Sequence, residues 1–353
     1  DWDEGHDYAD WVRSKGKMLG KLTESLDGVP AEYHQTTWCG EKTIEFISED
    51  REGPWLASVN IYDPHEPFNP PKSYRDQFDP KEMPEPLFRD EDLIQQKELE
   101  MVDFQSSGRP PEELDIKNPI IPRTPNSEAE DIASEGAKDA RSLKAAYYAM
   151  IKQIDDQVGR ILDALEETGQ RENTLVIFTS DHGEMLGDHG LIRKGCRFYE
   201  GLVRVPLIFS MPGVFRSREK SKALVELTDI APTLLELVGQ RVPDRMQGKS
   251  LLRMLTGEVP PEHHRDYVRS EYYDAVDMPD GTYATMHRDE QYKLVVYHGH
   301  NLGELYDLWD DPNEFNNLWN SQDHLDLKLN LLHRSYDATI LAMDKGPERI
   351  GPM

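Results

Sequence analysis

Thr174-Leu175-Val176-Ile177-Phe178-Thr179-Ser180-Asp181-His182-Gly183 passes directly from a run that is apolar on both faces to a carboxylate, an imidazole and a glycine. A strand apolar on both sides belongs to a sheet covered by helices. Just upstream, Tyr148, Ile151, Ile154, Val158, Ile161, Leu162 and Leu165 recur at helical spacing, predicting a long amphipathic helix over about 137–167 closed by Gly169. Downstream, 206–209 reads as a second buried strand and 228–238 as a helix, with Thr228 as its cap and Pro232 in its first turn. Alternating helices and buried strands predict an α/β fold, a mainly parallel sheet flanked by helices.

Further out, Trp38, Ile44 and Ile47 predict a helix over 37–47 capped by Thr36 or Thr37, and 8–15 a short helix in a polar lead-in. The run Trp55-Leu56-Ala57-Ser58-Val59-Asn60-Ile61-Tyr62 predicts another buried strand, opening into the stiff loop Asp63-Pro64-His65-Glu66-Pro67. Residues 70–134, rich in Pro, Glu and Asp, form a long excursion with one helix at 90–103, either a wall of a binding cleft or a solvated insertion. Beyond Pro260 the pattern changes to four short strands, at 267–273, 282–286, 292–297 and 304–306, and a terminal helix over 324–343. The linker Gly257-Glu258-Val259-Pro260-Pro261 sets a boundary near 258, giving an α/β domain over 1–258 and an α+β subdomain with an antiparallel sheet over 259–353.

Forty Lys and Arg stand against 67 Asp and Glu among the 353 residues, a formal charge of -27. This repels nucleic-acid phosphates and anionic lipid, and an anionic substrate needs a local cation to overcome it. Two cysteines, Cys39 and Cys196, make neither a disulfide framework nor a zinc cluster, and no apolar run is long enough to span a membrane. The opening Asp-Trp-Asp-Glu-Gly reads as the interior of a larger protein.

Ligands of open α/β sheets gather at the carboxyl ends of strands, where Asp181 offers a hard oxygen and His182 a neutral imidazole, a pair suited to a divalent cation. A second Asp-His-Gly at 188–190 and the nearby Lys194 strengthen this against a plain turn, Lys194 being the candidate cation for an anionic ester. His65, at the end of a different predicted strand, is a candidate to hold an ester oxygen or protonate a leaving group; the plainer alternative is a backbone hydrogen-bonder in a turn.

Five segments, taken in order, share a family pattern: 62–68 (Tyr-Asp-Pro-His-Glu-Pro-Phe), 178–190, 199–208 (Tyr-Glu-Gly-Leu-Val-Arg-Val-Pro-Leu-Ile), 229–235 (Asp-Ile-Ala-Pro-Thr-Leu-Leu), and 303–308 with Asp311-Pro312-Asn313-Glu314. Together they resemble the type I, formylglycine-dependent sulfatases of the alkaline phosphatase superfamily. The resemblance implies that Asp181 and His182 hold one divalent cation, usually calcium, and that His65 and Lys194 are catalytic and contact the sulfate and the leaving-group oxygen. It gives His189 a place in substrate binding or in shaping the loop. The family's Cys-x-Pro-x-Arg or Ser-x-Pro-x-Arg segment is not in this sequence: Gly40-Glu41-Lys42-Thr43 follows Cys39 and Arg197-Phe198-Tyr199-Glu200 follows Cys196. Neither cysteine is the nucleophile, and the expectation is a catalytic domain whose amino-terminal part is missing. The activity implied is hydrolysis of a sulfate ester on a carbohydrate or other small molecule. A phosphonate monoester or phosphodiester hydrolase of the same superfamily, and a noncatalytic binder of sulfated ligands, are the alternatives. A periplasmic or secreted location is the preferred expectation.

Overall fold

The computed structural model describes residues 5–25, 27–100, 102, 108–114, 139–274 and 282–343. They form two compact units, Asp1–Lys97 with Gln105–Thr174 and Met185–Arg193, and Glu98–Phe104 with Leu175–Glu184 and Lys194–Met353. In this division the strands on either side of the Asp-His-Gly turn group with the C-terminal sheet.

In the first unit, α1 spans Asp7–Ser14, α2 Gln35–Ser48, α3 begins at Asp90 within Asp90–Leu99, and α4 runs over Ala140–Glu167. The Asp139 carboxylate starts α4 by accepting the Ser142 amide at 2.8 Å, and Gly169, at φ 68°, follows its end in the left-handed region that glycine adopts without strain. Its apolar stripe, Leu143, Ala146 and Met150, packs on Phe68 and Leu186. Along α2, a Cβ on Gly40 would lie 2.6 Å from the Gln157 side-chain oxygen of α4, so glycine is what lets the two helices approach. The cap of α2 is His34, whose Nδ1 accepts the Thr36 amide. Thr36 and Thr37, the expected caps, donate their hydroxyls to Asp63 Oδ2 and Ala31 O, both at 2.6 Å.

The strand expected over 55–62 is not formed; these residues lack sheet pairing and Leu56 is 75% exposed. Composition favours a strand there, but a strand exists only with a ladder partner, and the described residues supply none. Within the 70–134 excursion, the part that is described is pinned down. Leu87 N donates to Asp188 Oδ1 at 3.0 Å, and Arg109 N to Gly190 O at 2.9 Å. Its helix ends at Leu99, earlier than expected, and 115–134 lie outside the described residues.

In the second unit, β1 (Val176–Thr179) and β2 (Leu207–Ser210) pair antiparallel, Val176 opposite Ser210 and Thr179 opposite Leu207. The α/β class holds, and this pair within it is antiparallel. A parallel pair needs a crossover, usually a helix, and the connection here has only the single-turn α5 (Glu200–Val203) and a 3-10 turn. Helix α6 (Ile230–Leu237) follows a turn capped reciprocally by Glu226 and Asp229, not by Thr228. Strands β3 (Val268–Tyr273), β4 (Tyr283–Arg288), β5 (Tyr292–Tyr297) and β6 (Leu302–Asp307) form the expected antiparallel sheet in chain order, and α7 (Leu325–Leu341) closes the chain. One side of the sheet buries Leu294 and Leu305 against Leu331 of α7; the other buries Met286, Val295 and Tyr297 against Cys196 and Phe198.

Candidate active site

Ser180 to Gly183 leave the end of β1 in a turn held by its own hydrogen bonds. Ser180 Oγ donates to His182 O at 2.7 Å, and the His182 amide donates to Asp181 Oδ1 at 2.9 Å. His182 Nδ1 lies 2.8 Å from Gly183 O. A carbonyl only accepts, so this nitrogen carries the proton and Nε2 presents its lone pair. That Nε2 stands 3.6 Å from Asp181 Oδ2, on a carboxylate side chain that is 85% exposed. A hard oxygen and an imidazole nitrogen at this separation suit neighbouring ligand positions on a cation whose bonds to oxygen run about 2.3–2.6 Å. The donor set fits a divalent ion as far as it goes: among the described residues no group of three or more His, Cys, Asp or Glu side chains gathers for a metal.

Behind the turn stands α5. Gly183 N donates to Leu202 O at 2.8 Å, and a Cβ at residue 183 would lie 1.9 Å from Gly201 O. Only glycine fits. Lys194 Nζ sits 3.4 Å from Glu184 Oε2, whose side chain is buried, so the expected anion-holding cation already faces a carboxylate.

His65 belongs to the first unit, as does His189; Asp181, His182 and Lys194 belong to the second. The His65 loop is anchored through Asp63, which accepts Thr36 Oγ1 and also stands 3.5 Å from His34 Nδ1. Burial draws the His34 imidazole below its ordinary pKa despite the neighbouring carboxylate, in keeping with its neutral role as an acceptor at the cap. His65 Nδ1 lies 2.7 Å from both Glu66 O and Tyr62 Oη, with the two rings 4.6 Å apart. The carbonyl again fixes a proton on Nδ1 and leaves Nε2 for a ligand. Glu66 in turn holds Arg193 at 2.6 Å. The second Asp-His-Gly serves a different purpose: His189 is 3% exposed, its Nδ1 3.6 Å from Asp92, while Asp188 takes Lys144 and the Leu87 amide.

Neither cysteine has the setting of a nucleophile. Burial, then Asp63, pushes the Cys39 thiol up, and buried Cys196 donates to Val102 O at 3.0 Å. Sequence reading missed Glu184, Tyr62 and the Glu66–Arg193 pair. Tyr62 was within reach of it, because His65 N donates to Tyr62 O in a turn, the kind that Pro64 favours. The two ion pairs carry no periodic signal and emerge only from the fold.

A family model described as Sulfatase matches residues 6–240. The chain belongs to the sulfatase family. A second model, described as N-sulphoglucosamine sulphohydrolase, C-terminal, matches residues 187–339 of this sulfatase chain. An arylsulfatase of Clostridium perfringens is 32% identical over 332 residues, 90% of this chain and 62% of that protein. The N-acetylglucosamine-6-O-sulfatase of Bacteroides thetaiotaomicron is 34% identical over 183 residues, 50% of this chain and 32% of that protein. Among solved structures, the phosphonate monoester hydrolase of Agrobacterium radiobacter superposes with a TM-score of 0.77 at 26% identity, covering 96% of this chain and 69% of that one. The chain thus spans less than two thirds of the length of either of these two curated relatives.

Proposed function

We propose that the whole protein carrying this chain hydrolyses sulfate esters of a carbohydrate, with one divalent cation, calcium, held in part by Asp181 and His182. The observation that carries this reading is the convergence of Asp181 Oδ2 and His182 Nε2 at the end of β1 in a sulfatase-family chain. When bound, the cation supplies Lewis-acid stabilisation of the anionic oxygens and of a charged nucleophile. Asp181 contributes negative charge to the ion, and His182 the nitrogen that its Gly183 contact leaves unprotonated. Lys194, shared with Glu184, neutralises charge on the ester oxygens, which the acidic chain otherwise repels. His65 offers Nε2 to the leaving-group oxygen and delivers a proton there when the ring is doubly protonated. His189, buried on Asp92, shapes the loop and stays off the substrate. The formylglycine that the resemblance calls for has no place among these residues, and the proposal puts it in the part of the whole protein they do not cover. Residues 259–353 serve as the smaller subdomain, and the location is periplasmic or secreted.

A carbohydrate leaving group is supported by the N-sulphoglucosamine sulphohydrolase match and the N-acetylglucosamine-6-O-sulfatase relative. The likeness to a phosphonate monoester hydrolase favours a second reading, in which the same residues act on a phosphonate or phosphodiester. Full-length protein, mapped by peptide mass spectrometry for a thiol converted to an aldehyde, is assayed on N- and O-sulfated glucosamines and on an aryl phosphonate monoester. Release of sulfate with kcat/KM above that on the phosphonate supports the first reading. The reverse order selects the second, and turnover of neither with retained sugar binding leaves a noncatalytic binder.

A further inference from the structure

Three stretches far apart in sequence meet at one ammonium group in the second unit. Lys293 on β5 is fully buried; its Nζ donates to Phe198 O at 2.8 Å and forms ion pairs with Glu200 Oε1 at 2.7 Å and Glu314 Oε1 at 2.6 Å. Glu314 closes the arrangement from the other side, its Oε2 accepting the Glu200 amide at 2.7 Å. Arg288 Nε stands 3.4 Å from the same Glu200 oxygen that faces Lys293. Burial alone would raise the Glu200 carboxyl, yet Lys293 and Arg288 hold it below its ordinary value.

Buried ion pairs of this kind rarely add stability over apolar packing of the same volume, because desolvation offsets their attraction. What they fix is position, and the element fixed here is α5. Glu200 is its first residue, held at the side chain by Lys293 and at the amide by Glu314. Within the same turn, Leu202 O accepts Gly183 N and Gly201 O occupies the space that a side chain on residue 183 would need. Gly183 O in turn receives the His182 Nδ1 proton that leaves Nε2 free. An unbroken run of contacts therefore leads from a buried lysine of the C-terminal sheet to the atom offered to a cation.

We infer that Lys293, together with Glu314, is a positioning residue that holds α5 against the Asp181–His182 turn and thereby sets that turn's affinity for its divalent cation. This rests on the reading of Asp181 and His182 as metal ligands. A clamp that served the fold alone would change melting temperature and leave metal affinity as it was.

The test uses the full-length protein, stripped with chelator and titrated calorimetrically with calcium chloride well below each variant's melting temperature. Lys293→Met leaves the buried Glu314 carboxyl without its cation and is a candidate for misfolding, so Glu314→Gln and the double variant Lys293→Met/Glu314→Gln accompany it. Gln keeps the volume of Glu314 but changes the atom facing the Glu200 amide or Lys293. The expected result is a calcium affinity at least tenfold weaker in Glu314→Gln and in the double variant. A lower melting temperature with wild-type calcium affinity in both overturns the inference while leaving the metal reading intact. Wild-type protein that binds no calcium overturns the metal reading, and the inference falls with it.

Discussion

His65 and His182 are built alike: each ring gives Nδ1 to a backbone carbonyl, of Glu66 and Gly183, and keeps Nε2 for a ligand. Replacing His65 by Asn should lower turnover about 10²–10⁴-fold on a sugar sulfate, whose alkoxide needs a proton to depart, and far less on nitrophenyl sulfate, whose leaving group does not. Comparing the two substrates in the full-length variant checks this; an equal loss on both would remove His65 from proton delivery. Asp181→Asn should abolish the calcium-induced rise in melting temperature, which in the wild type corresponds to about 2.7 kcal/mol at a metal concentration 100 times Kd. A calcium-dependent shift of undiminished size in the variant would rule out Asp181 as a ligand. The placement of Asp181 and His182 just beyond a strand was legible because the apolar run that forms β1 stops right before them. The carboxylate opposite Lys194 was not, because Glu184 and Lys194 meet across a loop whose path no local pattern records.

At the scale of elements, the turn after β1 depends on how closely α5 lies behind it. Gly183→Ala would drive a methyl group into Gly201 O, so the turn or the helix must move. The expected outcome is loss of calcium binding in a protein that still folds, read by calorimetry beside circular dichroism; an alanine variant with wild-type affinity would show that α5 gives way freely. For α4, Asp139→Ala removes the acceptor of the Ser142 amide and should cost about 1 kcal/mol in denaturant unfolding, since capping residues contribute roughly 0.5–2 kcal/mol. The helices and the C-terminal strands were legible because each has its own period: α4 carries one apolar stripe, and β5 buries most of its side chains between two layers. What composition cannot supply is pairing: the run from Trp55 to Tyr62 has strand composition without a ladder partner among the described residues, and the antiparallel direction of β2 against β1 goes with a connection that contains no crossover helix.

For the molecule as a whole, the response to acid separates a buried histidine from the carboxylates. His287, on β4, has no solvent exposure and lies stacked on Tyr267 at 4.8 Å, with neither ring nitrogen hydrogen-bonded among the described residues. Burial first, then Arg334 and Arg269, lower its pKa from 6.5 to about 4, against the opposing pull of Asp289. The folded state therefore resists protonation that the unfolded chain accepts. Stability from this group is complete above pH 6.5, declines as pH falls below that value and is fully lost below about 4. The carboxyls of Asp229 and Glu200 are also held low, Asp229 by its contacts with His264, the Glu226 and Lys249 amides and Arg265, in each case against burial. Their contributions begin to fall only near the ordinary carboxylate range, below the start of the histidine window. Glu314 acts in the opposite direction, since burial raises its carboxyl and so favours its protonated form in the folded state. Chemical unfolding of the full-length protein at successive pH values should thus show a first loss of stability between pH 6.5 and 4.5. His287→Phe, which keeps an aromatic ring for Tyr267 and cannot take up a proton, should shrink the loss in that part of the profile, the remainder coming from His34, whose imidazole burial also draws down, and leave the loss below pH 4 in place. A variant profile parallel to the wild type from pH 6.5 to 4.5 would assign the early loss to another group.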